Sequence, residues 1–177
     1  MNPELAAAYE RATGFPVPPV YLHPGFGDRG GYVLEGPRED SIILGPDAND
    51  YVFAHELGHS ETSRRPGLMQ QVQDKTYNFG DHPLIKIGAQ AAIGAFAPTN
   101  RRAIALSLGT AYLSQAGKLA SEAVANRNAD KYLQSAGIPQ NEAMKISKLK
   151  NQFGYGAGPA ITGLATMGVA RTLASAL

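Results

Sequence analysis

Residues 55–59 read His-Glu-Leu-Gly-His, two imidazoles four positions apart with a carboxylate next to the first. On a helix that spacing brings both histidines to one face, where they can bind one Zn2+. Glu56 stands about 100° round the helix from His55, the place for a general base acting on a water held at that metal. The lead-in, Asp50-Tyr51-Val52-Phe53-Ala54, is bulky and largely apolar, as a buried, metal-bearing helix requires.

A catalytic zinc takes three protein ligands and keeps a fourth position open. The chain has no cysteine, which excludes thiolate ligands and a disulfide scaffold, so a histidine or carboxylate must complete the set. Arg65 occupies the position ten residues after His55, where a metzincin would carry its third histidine. The remaining histidines are His23 and His82. The carboxylate candidate is Glu122, in Ser121-Glu122-Ala123-Val124-Ala125-Asn126, the only acidic residue between Asp81 and Asp130. An acidic side chain among such small residues calls for a partner, and a metal ion is one.

With the pentad and this second segment together, the chain resembles the gluzincins of the HtpX-like and CAAX-prenyl-protease family and their minimal soluble relatives. That family pairs HExxH with E-x-x-A-D on a later helix, across a helical hairpin. Here Glu122-Ala123-Val124-Ala125-Asn126 matches the second motif except that Asn126 stands for the aspartate. The resemblance spans roughly residues 40–135 and implies a zinc metalloendopeptidase with one Zn2+ per chain on His55, His59 and Glu122. It also implies that Asn126 supports a zinc-binding histidine by accepting its N–H. An uncharged amide does this more weakly than a carboxylate, and Asp130 is the fallback. An oxyanion stabiliser is needed too. His82, Arg127, Tyr132 and Tyr77 are the candidates that spacing offers.

The elements that must position these groups follow from punctuation and periodicity. Asn2-Pro3 opens a first helix that Gly14 closes. Three short β-type runs, Val20–Leu22, Tyr32–Glu35 and Ser41–Leu44, predict a small antiparallel sheet. A substrate peptide would add to its edge along Tyr32–Glu35 or Ser41–Leu44. Helices are then predicted over Asn49–Arg64, Pro83–Phe96, Thr99–Ala116, Lys118–Ser135, Pro139–Gln152 and Pro159–Ala176. The expected fold class is α+β, a single metallopeptidase-like domain in three sections: an N-terminal helix and sheet (1–45), the zinc-site helices (46–135) and C-terminal helices (136–177).

Sixteen basic against fifteen acidic residues in 177 give a net charge of +1, and the absence of a basic excess argues against a nucleic-acid partner. The N-terminus shows no basic region followed by an apolar core, so a cytoplasmic location is the expectation. Gly88, Ala91, Ala92 and Ala95 predict one flat packing face, and Ala105 with Gly109 another. These Gly/Ala-rich helices suit a tightly packed soluble body, with contact to a membrane or to another subunit as the alternative. Two other functions compete with peptide hydrolysis: a catalytically idle, membrane-associated or assembly protein that kept the fold, and a zinc hydrolase of peptidoglycan cross-links. The intact Glu56 argues against the first.

Overall fold

The computed structural model of the protein describes residues 1–34, 40–65 and 83–176. Helix α1 (Pro3–Thr13) starts where the Asn2 side chain accepts from the Glu4 N–H. It stops where Gly14, at φ 74°, donates back to the Glu10 carbonyl, a backbone conformation that favours glycine. Leu5, Ala8, Tyr9 and Thr13, spaced to share one face, are its buried residues.

The sheet comprises β1 (Val20–Leu22), β2 (Gly30–Leu34) and β3 (Asp40–Leu44), in the order β1-β3-β2. It is mixed where the sequence predicted antiparallel pairing throughout. β2 and β3 run antiparallel, with Tyr32 opposite Ile42, whereas β1 and β3 are parallel, with Val20 opposite the same Ile42. The apolar β3 takes the centre, where Ile42 is wholly buried. β1 follows Pro18 and Pro19, and proline, lacking a donor, belongs at a sheet edge. Ser41–Leu44 therefore cannot receive a substrate strand, because both of its sides are paired. Glu35, the predicted end of β2, lies outside the described residues.

Helix α2 (Asp50–Arg64) is capped by Asn49, whose side chain accepts from the N–H groups of Tyr51 and Val52. From Tyr51 to Glu61 every residue but His59 is buried. A helix buried on nearly all sides cannot be soaked by solvent, so each of its polar groups must find a partner in the protein. α3 (Pro83–Phe96), α4 (Asn100–Ser114) and α5 (Ala116–Ser135) fall close to the predicted bounds. α6 is one helix, Glu142–Ala176, where the sequence predicted two. It runs through Pro159 because the residue before a proline resists helix mainly through its Cβ, and Gly158 has none.

The chain divides into two compact units, Met1–Gln70 with Ser121–Asn151, and Gln71–Ala120 with Gln152–Leu177. The core of the first gathers Leu5, Tyr9, Ile42, Leu57, Tyr132 and Leu133. In the second, Gln90 and Ser107 form a buried reciprocal pair, Ser107 Oγ donating to Gln90 Oε1 (2.6 Å) and Gln90 Nε2 to the Ser107 carbonyl (3.1 Å). A Cβ on Gly94 would stand 2.4 Å from the Met167 carbonyl oxygen, so α3 and α6 touch backbone to backbone there. The predicted packing faces are turned outward: Gly88, Ala92, Ala95, Ala105 and Gly109 are exposed. The Gln90–Ser107 pair, which must be shielded from water, selects the inner face instead. Among the described residues no helix is long and apolar enough to cross a membrane.

Candidate metal centre

One turn of α2 projects His55 and His59 toward α5, and α5 answers with Glu122. The close approach depends on Gly58, one turn after His55. A Cβ there would lie 2.6 Å from the Ala125 carbonyl oxygen and 2.9 Å from its Cα. Ala125 and Ala129, both fully buried, keep that face of α5 equally low. Small residues thus let two helix backbones nearly touch, and that contact sets Glu122 against the histidines.

The three groups converge. His55 Nε2 lies 3.1 Å from His59 Nε2 and 3.1 Å from Glu122 Oε2, and His59 Nε2 lies 3.5 Å from Glu122 Oε1. A tetrahedral ion with bonds of about 2.0–2.1 Å sets its ligand atoms about 3.3 Å apart, so the spacing suits a shared metal ion. Glu122 Oε2 is buried and, among the described residues, accepts no aligned hydrogen bond despite its nearness to His55. A buried carboxylate that meets one imidazole nitrogen through each oxygen, with Oε2 left unpaired, is the donor set of a metal site. His55, His59 and Glu122 can therefore hold a metal ion. Burial alone would raise the Glu122 carboxyl, but the two imidazoles beside it, His55 and His59, outweigh it and hold the group down at about 2.

Each imidazole is backed by a tyrosine. Tyr51 stacks on His55, with ring centroids 6.2 Å apart, and Tyr32 of β2 stacks on His59 at 6.3 Å. Burial pushes the hydroxyl of Tyr51 up, and that of Tyr32 up to about 12, so both stay neutral donors. Ser121 Oγ approaches His59 Nδ1 at 3.4 Å. The spacing Tyr51 to His55, four apart on one helix, was a signal available in the sequence. The Tyr32 contact spans the fold and was not.

Glu56 points beneath β2. A Cβ on Gly30 would stand 2.9 Å from Glu56 Oε1 and 2.8 Å from Val52 Cγ1, so this carboxylate is covered by bare backbone. Desolvation raises it to about 7, His55 opposing that shift and Glu122 adding to it. Among the described residues no group donates a hydrogen bond to it. The other buried polar groups of α2 are engaged. Ser60 donates to Asp40 Oδ2 at 2.8 Å and meets the Tyr9 hydroxyl, while Glu61 accepts from Tyr132 and pairs with Arg65.

The remaining sequence candidates are scattered. Asn126 accepts from the Tyr51 hydroxyl, and Asn151 Nδ2 lies 3.4 Å from its Oδ1. Its link to His55 thus runs through the stacked tyrosine, and among the described residues it accepts no imidazole N–H. Asp130 binds Lys148 (2.6 Å) and Gln140 (2.8 Å). Eight residues past Glu122, it sits about 12 Å further along the helix and about 80° round, too far to support the ligands. Tyr132 is wholly buried against Tyr9 and donates to Glu61. Arg127 is exposed, about 140° round α5 from Glu122. His82 and Tyr77 lie outside the described residues. Asn151, which the sequence reading passed over, reaches His55. Comparison with known families, curated proteins and solved structures finds no match to this chain.

Proposed function

We propose that the protein is a zinc-dependent endopeptidase in which His55, His59 and Glu122 hold the metal and Glu56 is the general base. The observation that carries this reading is a three-ligand cluster converging from α2 and α5, with a buried carboxylate next to His55 that has no donor among the described residues. Two imidazoles and a carboxylate suit zinc's borderline preference, and three protein ligands leave the open position of a catalytic site. When bound, zinc would supply Lewis acidity, lowering the pKa of a water and polarising the scissile carbonyl. Glu56 takes the proton of the attacking water and passes it to the departing amine. Its raised pKa, about 7, suits both halves of that exchange near neutral pH. The tyrosines on either side hold the imidazole planes, so the ligand nitrogens stay aimed.

Substrate adds along β2, the edge strand whose Gly30 overlies Glu56. Main-chain pairing reads backbone and gives little side-chain specificity. The gluzincin resemblance of residues 55–59 and 122–126 supports the same assignment. A metal-binding protein without catalysis would have no use for a buried ionisable group beside the metal that no described residue donates to.

Elemental analysis of wild type, Glu122→Ala and Glu56→Gln tests the reading. The expected result is about one zinc per chain, largely lost in Glu122→Ala and kept in Glu56→Gln, with peptide cleavage only in the wild type. No zinc in the wild type after reconstitution, or none lost in Glu122→Ala, sinks it. Full zinc occupancy without hydrolysis of peptide or peptidoglycan leaves the idle metal-binding protein.

A further inference from the structure

The groups that the sequence offered for the oxyanion stand elsewhere or lie outside the described residues, but another donor is in place. Asn151 of α6 brings its amide Nδ2 to 3.1 Å from His55 Nε2 and 3.4 Å from His55 Nδ1. That Nε2 is the same atom that faces His59 and Glu122. The amide's other neighbours are Asn126 Oδ1, at 3.4 Å, and the Tyr51 hydroxyl. Because that oxygen already accepts from the Tyr51 hydroxyl, Asn151 must present its nitrogen, and its orientation follows from the chain Tyr51–Asn126–Asn151.

We propose that Asn151 is a further catalytic residue of this centre, its amide N–H donating to the scissile carbonyl oxygen as that oxygen gains charge. The role rests on the peptidase reading above. An amide nitrogen has two N–H groups. One is turned to the Tyr51–Asn126 pair, and the second faces the ligand cluster. With the His55 Nε2 lone pair committed to a metal, that second N–H needs an acceptor, and a substrate carbonyl oxygen beside the metal is one. A fixed dipole of this kind is worth most in a water-poor site, where no reorientation is needed during reaction.

The step balances without any change at Asn151. A water oxygen bonds to the carbonyl carbon, its proton goes to Glu56, and the C=O π pair moves onto the oxygen that Asn151 binds. As that pair returns, the C–N bond breaks and the Glu56 proton passes to the leaving nitrogen. Asn151 gains and loses no proton.

The test uses the full zinc-loaded chain, with casein as a general substrate and a phosphonamidate peptide as a mimic of the tetrahedral oxyanion. Asn151→Ala should keep its zinc and lose kcat about 10²–10³-fold, with KM changed less than about threefold. Phosphonamidate affinity should fall with kcat. Asn151→Asp, which keeps the shape but removes the N–H, should lose as much, whereas a residue needed only for packing would be rescued by it. Wild-type rates in Asn151→Ala or in Asn151→Asp overturn the role. So does loss of zinc along with activity, which would make Asn151 a support of His55. A zinc-loaded wild type that neither cleaves casein nor binds the phosphonamidate overturns the peptidase reading and this role with it. Cleavage by wild type and Asn151→Ala alike overturns this role alone.

Discussion

The two units of the chain pack by opposite means. In the first, Tyr9, Tyr51, Tyr132, Leu5, Ile42, Leu57 and Leu133 are all fully buried, and large side chains interlock around polar groups that are almost all paired. In the second, the buried hydrophobic residues among those described are Ala103, Ala111 and Met167. Its large apolar side chains point outward: Phe96, Leu106, Leu113, Ile161, Val169 and Leu173 are all more than half exposed. Residues 83–120 and 152–177 contain no acidic residue. Interlocked bulky side chains leave few alternative rotamers and fix atoms closely enough to aim three ligands at one point. Backbone contact through glycine and alanine brings helices together, and it aims a side chain only where, as at Gly58 and Ala125, bulky neighbours lock the groups on either side. The candidate chemistry lies in the first unit for that reason.

The sharpest way to break the contrast is to unpair the polar interior of the first unit. The Asp40 side chain is almost wholly buried and binds Arg64 through Nε at 3.0 Å and through Nη2, besides Ser60 and Tyr32. Asp40→Ala strands these donors and should cost about 3–4 kcal/mol in denaturant unfolding. Burial opposes ionisation of Asp40, yet the hydrogen bond from Arg64 prevails and lowers its pKa. Its contribution is therefore full above the unfolded value, about 3.9, and is lost as pH falls through the folded one. The gap between wild type and variant should start to narrow as pH falls below about 4 and go on narrowing to the lowered folded value.

Next come the two glycine contacts. Gly58→Ala places a methyl on the Ala125 backbone, should cost about 2–3 kcal/mol, and should weaken zinc binding more than tenfold in a metal titration. Gly94→Ala makes the same clash with Met167 but should leave zinc affinity within about threefold. Equal effects on zinc would dissolve the contrast between the units.

A smaller effect has the opposite sign. In the metal-free protein Glu56 is raised to about 7 from 4.5. Folding is thus unpenalised below pH 4.5 and loses stability as pH rises through 7. Glu56→Gln should raise metal-free stability by about 2 kcal/mol at pH 8 and change little at pH 4, read as melting temperature. Smallest of all, Leu113→Lys and Val169→Lys should each stay within about 0.5 kcal/mol of wild type, since neither side chain is buried.

Local signals were legible and long-range ones were not. Asn49, Thr99 and Gly14 marked helix ends because caps act within a few residues. The pentad and Glu122 could be matched because a metal demands particular ligand types. By contrast, the parallel pairing of β1 with β3 joins segments that alternate alike in either direction. Gly88 and Ala92 are as small as Gly94, so composition could not say which face turns inward; the Gln90–Ser107 pair settled it. Asn151 was invisible for a related reason. A lone asparagine late in the chain gains meaning only when α6 brings it beside His55.

His59 and Glu122 are separated by roughly 60 residues of chain that include α3 and α4. A metal ion gripped by both would act as a covalent staple does, closing a long loop. By the chain-entropy estimate, a cross-link of that span restricts the unfolded ensemble by about 4 kcal/mol. Chelation would then act as a denaturant as well as an inhibitor. Cargo-free chains would also be the ones most open to proteolysis, since a newly made chain closes its clasp only after α5 has emerged.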